Sequence, residues 1–231
     1  MTSLLLLGFI IGMRHALEAD HVAAVAALVS DKTSTRETAR HGALWGLGHT
    51  LTLFAFGGAI LVLDATIPDQ VSQWLEFCVG ILQVVLGADV LRRARRVQLK
   101  IVPHSHDGHS HIHAVRGPSL PHHHHHHHHR PLPPRALLVG MMHGMAGSAA
   151  LVMLTVETVR SPLQGLFYIV LFGIGSTLGM LLLAAAISLP IKYSARWNRA
   201  FLGLQRAVGL TSMGVGGWMM YEIGWAGGLL V

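Results

Sequence analysis

Six long apolar runs, an alternation of charge in the segments between them, and an echo of the first half of the chain in the second predict an all-α integral membrane protein. Its six transmembrane helices should form two inverted three-helix repeats. Of the 231 residues, 52% are hydrophobic and 12% charged. The charges gather in short segments instead of covering a surface, which excludes an ordinary soluble domain and calls for a lipid bilayer as solvent.

The runs cover residues 4–30, 42–63, 71–91, 136–156, 163–189 and 202–225. A helix needs about 20 apolar residues to cross the hydrocarbon core, so each run can form one span. The first is unusually long. The connector after it holds Lys32, Arg36 and Arg40, the second holds no Lys or Arg, and residues 92–135 hold eight. The fourth holds only Arg160, and the last carries Lys192, Arg196, Arg199 and Arg206. Odd connectors are the basic ones. The positive-inside rule then puts them in the cytoplasm and both termini outside, in a multi-pass protein of the cell inner (plasma) membrane. The net charge of +6 thus reports topology, and no nucleic acid partner is expected. No positively charged start precedes the first run and no small-residue cleavage site follows it, so no cleaved signal peptide is expected.

The echo runs through all three helices of each half. GMRHALEADHVAAVAALV at Gly12 returns as GMMHGMAGSAALVMLTV at Gly140, GLGHTL at Gly46 as GIGSTL at Gly173, and VGILQVVLGA at Val79 as VGLTSMGVGG at Val208. The offsets are 128, 127 and 129 residues. Three helices per unit is an odd number, so the second unit must enter the membrane with opposite orientation, as in many secondary transporters. The chain divides into a first repeat (1–101), a disordered His-rich cytoplasmic loop (102–135) and a second repeat (136–231). The first and fourth helices are expected to be adjacent and antiparallel, with His15 and His143 related by a pseudo-two-fold axis.

GMRHALEADHV is costly in a membrane span. A central Arg or Asp costs about 2.5–3.5 kcal/mol on an insertion scale, against roughly 0.3–0.6 returned by each Leu, Ile or Val. Arg14, His15, Glu18, Asp20 and His21 must therefore be buried, paired or hydrated, which marks a functional site. Two imidazoles and a carboxylate, His15, Asp20 and His21, suit borderline divalent metals such as nickel, cobalt and zinc. On an unbroken helix Asp20 lies about 140° and His21 about 240° around the axis from His15, so the three cannot converge. Either the helix unwinds there, or the residues divide their work between holding a metal and orienting its ligands. His49 and His143 can complete the set from other helices; each alone would read as an interhelical hydrogen-bonding group. Arg14 and Glu18, four residues apart, can form an ion pair, and Glu18 can instead orient a histidine through its second nitrogen. Thr50 is expected in a supporting, hydrogen-bonding role. Asp89 with Arg92 and Arg93 reads as pairing at a helix end. The lone Cys78 excludes a Cys-rich metal site and reads as a packing residue.

Residues 103–134 contain HSHDGHSHIH and then His122 to His129 between Pro-rich flanks. This composition cannot bury a core. His104, His106, His109, His111 and His113 form a low-specificity reservoir for cations. The unbroken octahistidine is equally what a native tract and an affinity tag in an internal loop look like.

At GMRHALEADHVAAV the sequence resembles the nickel/cobalt transporter superfamily, in its shorter, urease-accessory-type branch. The family's signature, a histidine, four residues, then Asp-His, is met by His15, Asp20 and His21, and its Leu-Gly-His-Ser/Thr motif by Leu47, Gly48, His49 and Thr50. The resemblance covers the membrane portion of both repeats and implies transport of Ni²⁺ or Co²⁺ as substrate. Long family members have eight helices and further polar motifs that are not evident here.

The expectation is therefore a transporter and not an enzyme: uptake of nickel, or cobalt, through a midplane site of His15, Asp20, His21, His49 and His143, with Arg14, Glu18 and Thr50 around them. No cofactor is called for, and no nucleotide-binding motif is present. A cytoplasmic metallochaperone is not identified by the sequence. The alternatives are an exporter of the same fold, and a membrane metal oxidase built on histidine boxes. The oxidase needs eight or so histidines, and outside the loop the chain has only His15, His21, His41, His49 and His143.

Overall fold

Polar residues decide where these apolar helices stop. The computed structural model describes residues 2–32, 34–63, 68–96, 100–106, 109–115, 134–158, 161–194 and 197–230. The first apolar run is split at its charged cluster into α1 (Thr2–His15) and α2 (Ala19–Val29). The other runs each give one helix: α3 (Thr35–Val62), α4 (Asp69–Arg96), α5 (Pro134–Thr158), α6 (Pro162–Ser194) and α7 (Asn198–Tyr221), the last followed by a π-helical turn over Glu222–Ala226. Pro134 and Pro162 open α5 and α6, where a missing N–H removes no helical hydrogen bond. Among the described residues, three helices (α3, α4 and α6) are long and apolar enough to cross a membrane.

The burial pattern is that of a protein solvated by lipid. Leu7, Ile10, Phe56, Val85, Phe167 and Leu182 are exposed, while His21, His49, Gln83, His143, Ser176 and Gln205 are buried. Apolar surface outside and polar groups inside reverse the arrangement that water selects.

Glycines set the helix directions, because they mark where backbones touch. On α3 and α6, Gly46 meets Thr177, Thr50 meets Gly173 and Gly42 meets Ala184, so the two run antiparallel. Gly8 lies on Tyr168 and Gly179 on Met13 and Ala16, which makes α1 and α6 parallel. Gly140 lies on the Trp45 carbonyl and Gly144 on that of His49, so α5 and α3 are parallel too. Gly80 and Gly87 of α4 face Gly216 and Gly209 of α7 in the antiparallel sense. These contacts come in pairs. A side chain at Gly12 would run into the Phe172 carbonyl, and one at Gly140 into that of Trp45.

It follows that α1 and α5 run in opposite directions, as expected, but they are not neighbours: among the described residues they form no packed pair. Gly46 and Gly173 pack α3 against α6 at the centre, while Gly48 faces Leu137 of α5 and Gly175 faces Phe9 of α1, so α1 docks on α6 and α5 on α3. At one end of the bundle, Arg93 pairs with Asp31 at 2.7 Å, and Asp89 pairs with Arg92 and Arg135 at 2.7 Å each. The ends of α2, α4 and α5 that carry the basic connectors therefore lie together.

The segment 102–135 departs from the expected disorder where it is described. β1 (Lys100–His106) and β2 (His109–Val115) form an antiparallel hairpin, with His104 opposite His111 and His106 opposite His109. The strands flank an Asp-Gly pair, a hairpin signal, and alternate His with Ser, Ile and Ala, a period-2 pattern that outweighed polarity. His122 to His129 lie outside the described residues.

Candidate metal centre

The centre is built on the interruption between α1 and α2. After His15 the Leu17 amide donates to the Arg14 carbonyl at 2.9 Å and the Glu18 amide to that of His15 at 3.1 Å, two tight turns in place of the α-helical pattern. Glu18 is extended (φ −63°, ψ 149°), and its carbonyl then accepts from the Val22 amide to start α2. This geometry removes the expected Arg14–Glu18 pair, since residues four apart are neighbours only on a continuous helix. Instead the Glu18 carboxylate meets His15 Nδ1 at 2.9 Å. Arg14 is exposed and has no side-chain partner among the described residues.

A second carboxylate does the same on the far side of the break: Asp20 Oδ1 accepts from His21 Nδ1 at 2.9 Å. With Nδ1 donating to a carboxylate, the lone pair of each neutral ring is on Nε2. His15 Nε2 and His21 Nε2 are both buried without a hydrogen-bond partner.

α3 and α5 bring in two more imidazoles. Ring centroids are 4.3 Å apart for His15 and His21, 5.3 Å for His15 and His49, 5.2 Å for His21 and His49, and 5.3 Å for His21 and His143. The ligand atoms of His15, His21 and His49 lie within 4.8 Å of one another, as do those of Glu18, Asp20 and His21. A metal–nitrogen bond of about 2.1 Å allows nitrogens at most about 4.2 Å apart, so small side-chain rotations suffice to close the trio on an ion. His143 is not in that trio; its Nε2 lies 3.8 Å from Asp20 Oδ2. His21 is common to both groups.

Both ring nitrogens of His49 and of His143 are buried and unpartnered as well. A buried polar atom without a partner costs about 1–3 kcal/mol, so a cluster of them is a binding site or a liability. Donor chemistry favours binding: imidazoles with a nearby carboxylate suit Ni²⁺, Co²⁺ and Zn²⁺ better than Mg²⁺ or Ca²⁺.

Three supporting residues were missed in the sequence. Trp45, fully buried, stacks edge-on against His21 at 5.2 Å and His143 at 5.5 Å. The Gln83 side-chain amide donates to the Asp20 main-chain carbonyl at 3.2 Å, and the Gln83 main-chain carbonyl accepts from the Ser212 hydroxyl at 3.0 Å. Glu76 lines the cavity beside the histidines. Gln83 and Glu76 are polar residues inside the third apolar run, and that was the available signal. Thr50, by contrast, does not join the metal centre. Its hydroxyl donates to the Gly173 carbonyl and meets Thr177 Oγ1, both at 2.9 Å, so it fastens α3 to α6.

The chain is similar to known proteins over most of its length. The family described as the cytochrome C biogenesis protein transmembrane region matches residues 3–218. The urease accessory protein UreH of Bacillus sp. (strain TB-90) is 36% identical over 229 residues, 99% of this chain and 95% of the relative. Chloroplast protein FOR GROWTH AND FERTILITY 1 of Arabidopsis thaliana is 29% identical over 181 residues; the match covers 75% of this chain but 46% of the plant protein. No solved structure matches. Spanning nearly the whole of both chains, the likeness to UreH joins with the family match to show that this membrane protein belongs to the cytochrome c biogenesis transmembrane-region family and to that of urease accessory protein UreH.

Proposed function

We propose that the chain transports divalent transition-metal ions across the membrane, nickel first and cobalt second, by alternating access around His15, Asp20, His21, His49 and His143. The observation that carries this is the trio of His15, His21 and His49 with its ligand atoms within 4.8 Å, at a helix break inside an apolar span. A relative named as a urease accessory protein supports nickel, the metal of urease. Imidazoles replace the hydration shell of the ion, and acid competes because ligands must be deprotonated.

The architecture in this proposal is six spans, with α1 and α2 together forming the first, in two inverted three-helix units. The paired contacts support it: Thr50 and Thr177, 127 residues apart in the sequence, hydrogen-bond to each other across the interface of α3 and α6. Orientation follows from charge, with the basic connectors in the cytoplasm and both termini outside. Inward movement of a dication then gains about 4.6 kcal/mol per 100 mV of inside-negative potential, from roughly 2.3 per charge, so uptake needs no other energy source. A dithiol electron relay in this chain is disfavoured because Cys78 is its single cysteine.

The test is uptake of radioactive nickel by the full chain in proteoliposomes. His21→Ala and Asp20→Ala are expected to insert at normal levels, because removing a buried polar group lowers insertion cost. Their uptake should fall by more than about 100-fold, the upper end for loss of a mere supporting residue. Wild-type vesicles that take up no nickel or cobalt, or His21→Ala with full uptake per molecule, would overturn the proposal.

A further inference from the structure

A cavity of about 490 Å³ runs from the metal centre toward the end of the bundle where α4 begins and α7 ends, and its walls include Glu18, Asp20, His21, His143, Glu76 and Trp218. Glu76 sits two turns into α4, half-buried. Ser72 donates to its Oε1 at 3.3 Å, and among the described residues no cation pairs with it. An ionised carboxylate in an apolar span is costly unless water or a cation compensates it. His143, 2% exposed with neither ring nitrogen in a hydrogen bond, lines the same cavity.

We propose that Glu76 is the residue that first captures the incoming divalent cation, and that it passes the ion along the cavity to Asp20, His21 and His143. This rests on the transport reading and deepens it by assigning the side and the first station of uptake. The second half of the chain supplies a control. At the offset of 129 residues that relates the third helices, the counterpart of Glu76 is Gln205. It is neutral and buried, and it donates to the Ser30 carbonyl at 3.3 Å. An amide therefore serves the fold at this position, so the carboxylate of Glu76 is there for its charge. A charge on one side and an amide on the other gives capture a direction. By the positive-inside assignment the Glu76 side is the outside, where α4 starts.

The test is the concentration dependence of initial nickel uptake by the full chain in vesicles. Glu76→Gln is expected to raise the half-saturating nickel concentration about 5- to 10-fold while leaving the maximal rate within about twofold, and the difference should shrink as ionic strength rises. An unchanged half-saturating concentration in an inserted Glu76→Gln would overturn this inference and leave the transport reading standing; a wild-type protein that transports nothing would overturn both. Should Glu76→Gln fail to insert, Val215→Cys in a Cys78→Ser background gives the answer instead. Val215 lines the same cavity, so an impermeant charged thiol reagent should label it from one membrane face only and block uptake. Full uptake after labelling would overturn the route.

Discussion

Both α1 and α5 carry Gly-Met-x-His, at 12–15 and 140–143, and the chain then diverges. After His15 the chain breaks and presents Glu18, Asp20 and His21; after His143 it continues as a helix through Ala146, Ser148 and Ala149. Their docking, however, is the same: Gly12 against the Phe172 carbonyl, Gly140 against that of Trp45. Matching backbone contacts thus accompany unequal chemistry. The scaffold is specified by small residues that permit backbone contact, and the chemistry by a few polar residues free to differ between the halves because they do not hold the helices together.

This contrast can be broken on its chemical side first. Glu18→Ala should raise the nickel concentration needed for half-maximal uptake by about 10- to 100-fold, as losing the acceptor that holds His15 in its Nε2-lone-pair form would. Affinity equal to wild type, measured on inserted protein, would show that the break serves backbone geometry alone.

On the scaffold side, Gly12→Val and Gly140→Val should behave alike, since each places a branched side chain against a carbonyl. Both are expected to destabilise by at least about 1–3 kcal/mol and to lower the amount of folded protein in the membrane. Gly203→Ala, with open space around it, is the control and should leave it unchanged. If only one of the two valine variants is impaired, the halves do not share a scaffold.

A smaller effect tests the contact between the halves. Thr50→Val and Thr177→Val should each lower thermal stability by about 1 kcal/mol, and the double variant by less than the sum, because both lose one shared hydrogen bond. Strict additivity in detergent-solubilised protein would mean that the two hydroxyls act separately. Transport should change little in either single variant, since Thr50 faces Thr177 and not the histidines.

Hydropathy located the helical runs to within about seven residues at either end, though it gave α1 and α2 as one run; the cost of exposing a polar backbone to lipid leaves limited freedom in where an apolar helix lies. The interruption after His15 was half legible: angles around a helix required either a break or a division of labour, and the structure has the break. Glu18 was harder. From the sequence it could pair with Arg14 or orient a histidine, and the turn at 16–18 decided for His15. The hairpin was missed because composition was weighed above the alternation in HSHDGHSHIH.

What the sequence determined by itself was the lipid-facing character of the chain, the helices, the echo between halves and the donor types at the break. Each follows from local composition and from transfer energies that do not depend on which helices touch. Neighbours were decided by the tertiary structure. It put α3 and α6 at the centre instead of α1 against α5, assigned Thr50 to the helix interface, gathered His15, His21 and His49 into one trio with His143 beside Asp20, and opened a cavity past Glu76. The physical reason is that close packing between helices depends on matching shapes across two backbones, and one strand of sequence carries only half of each match.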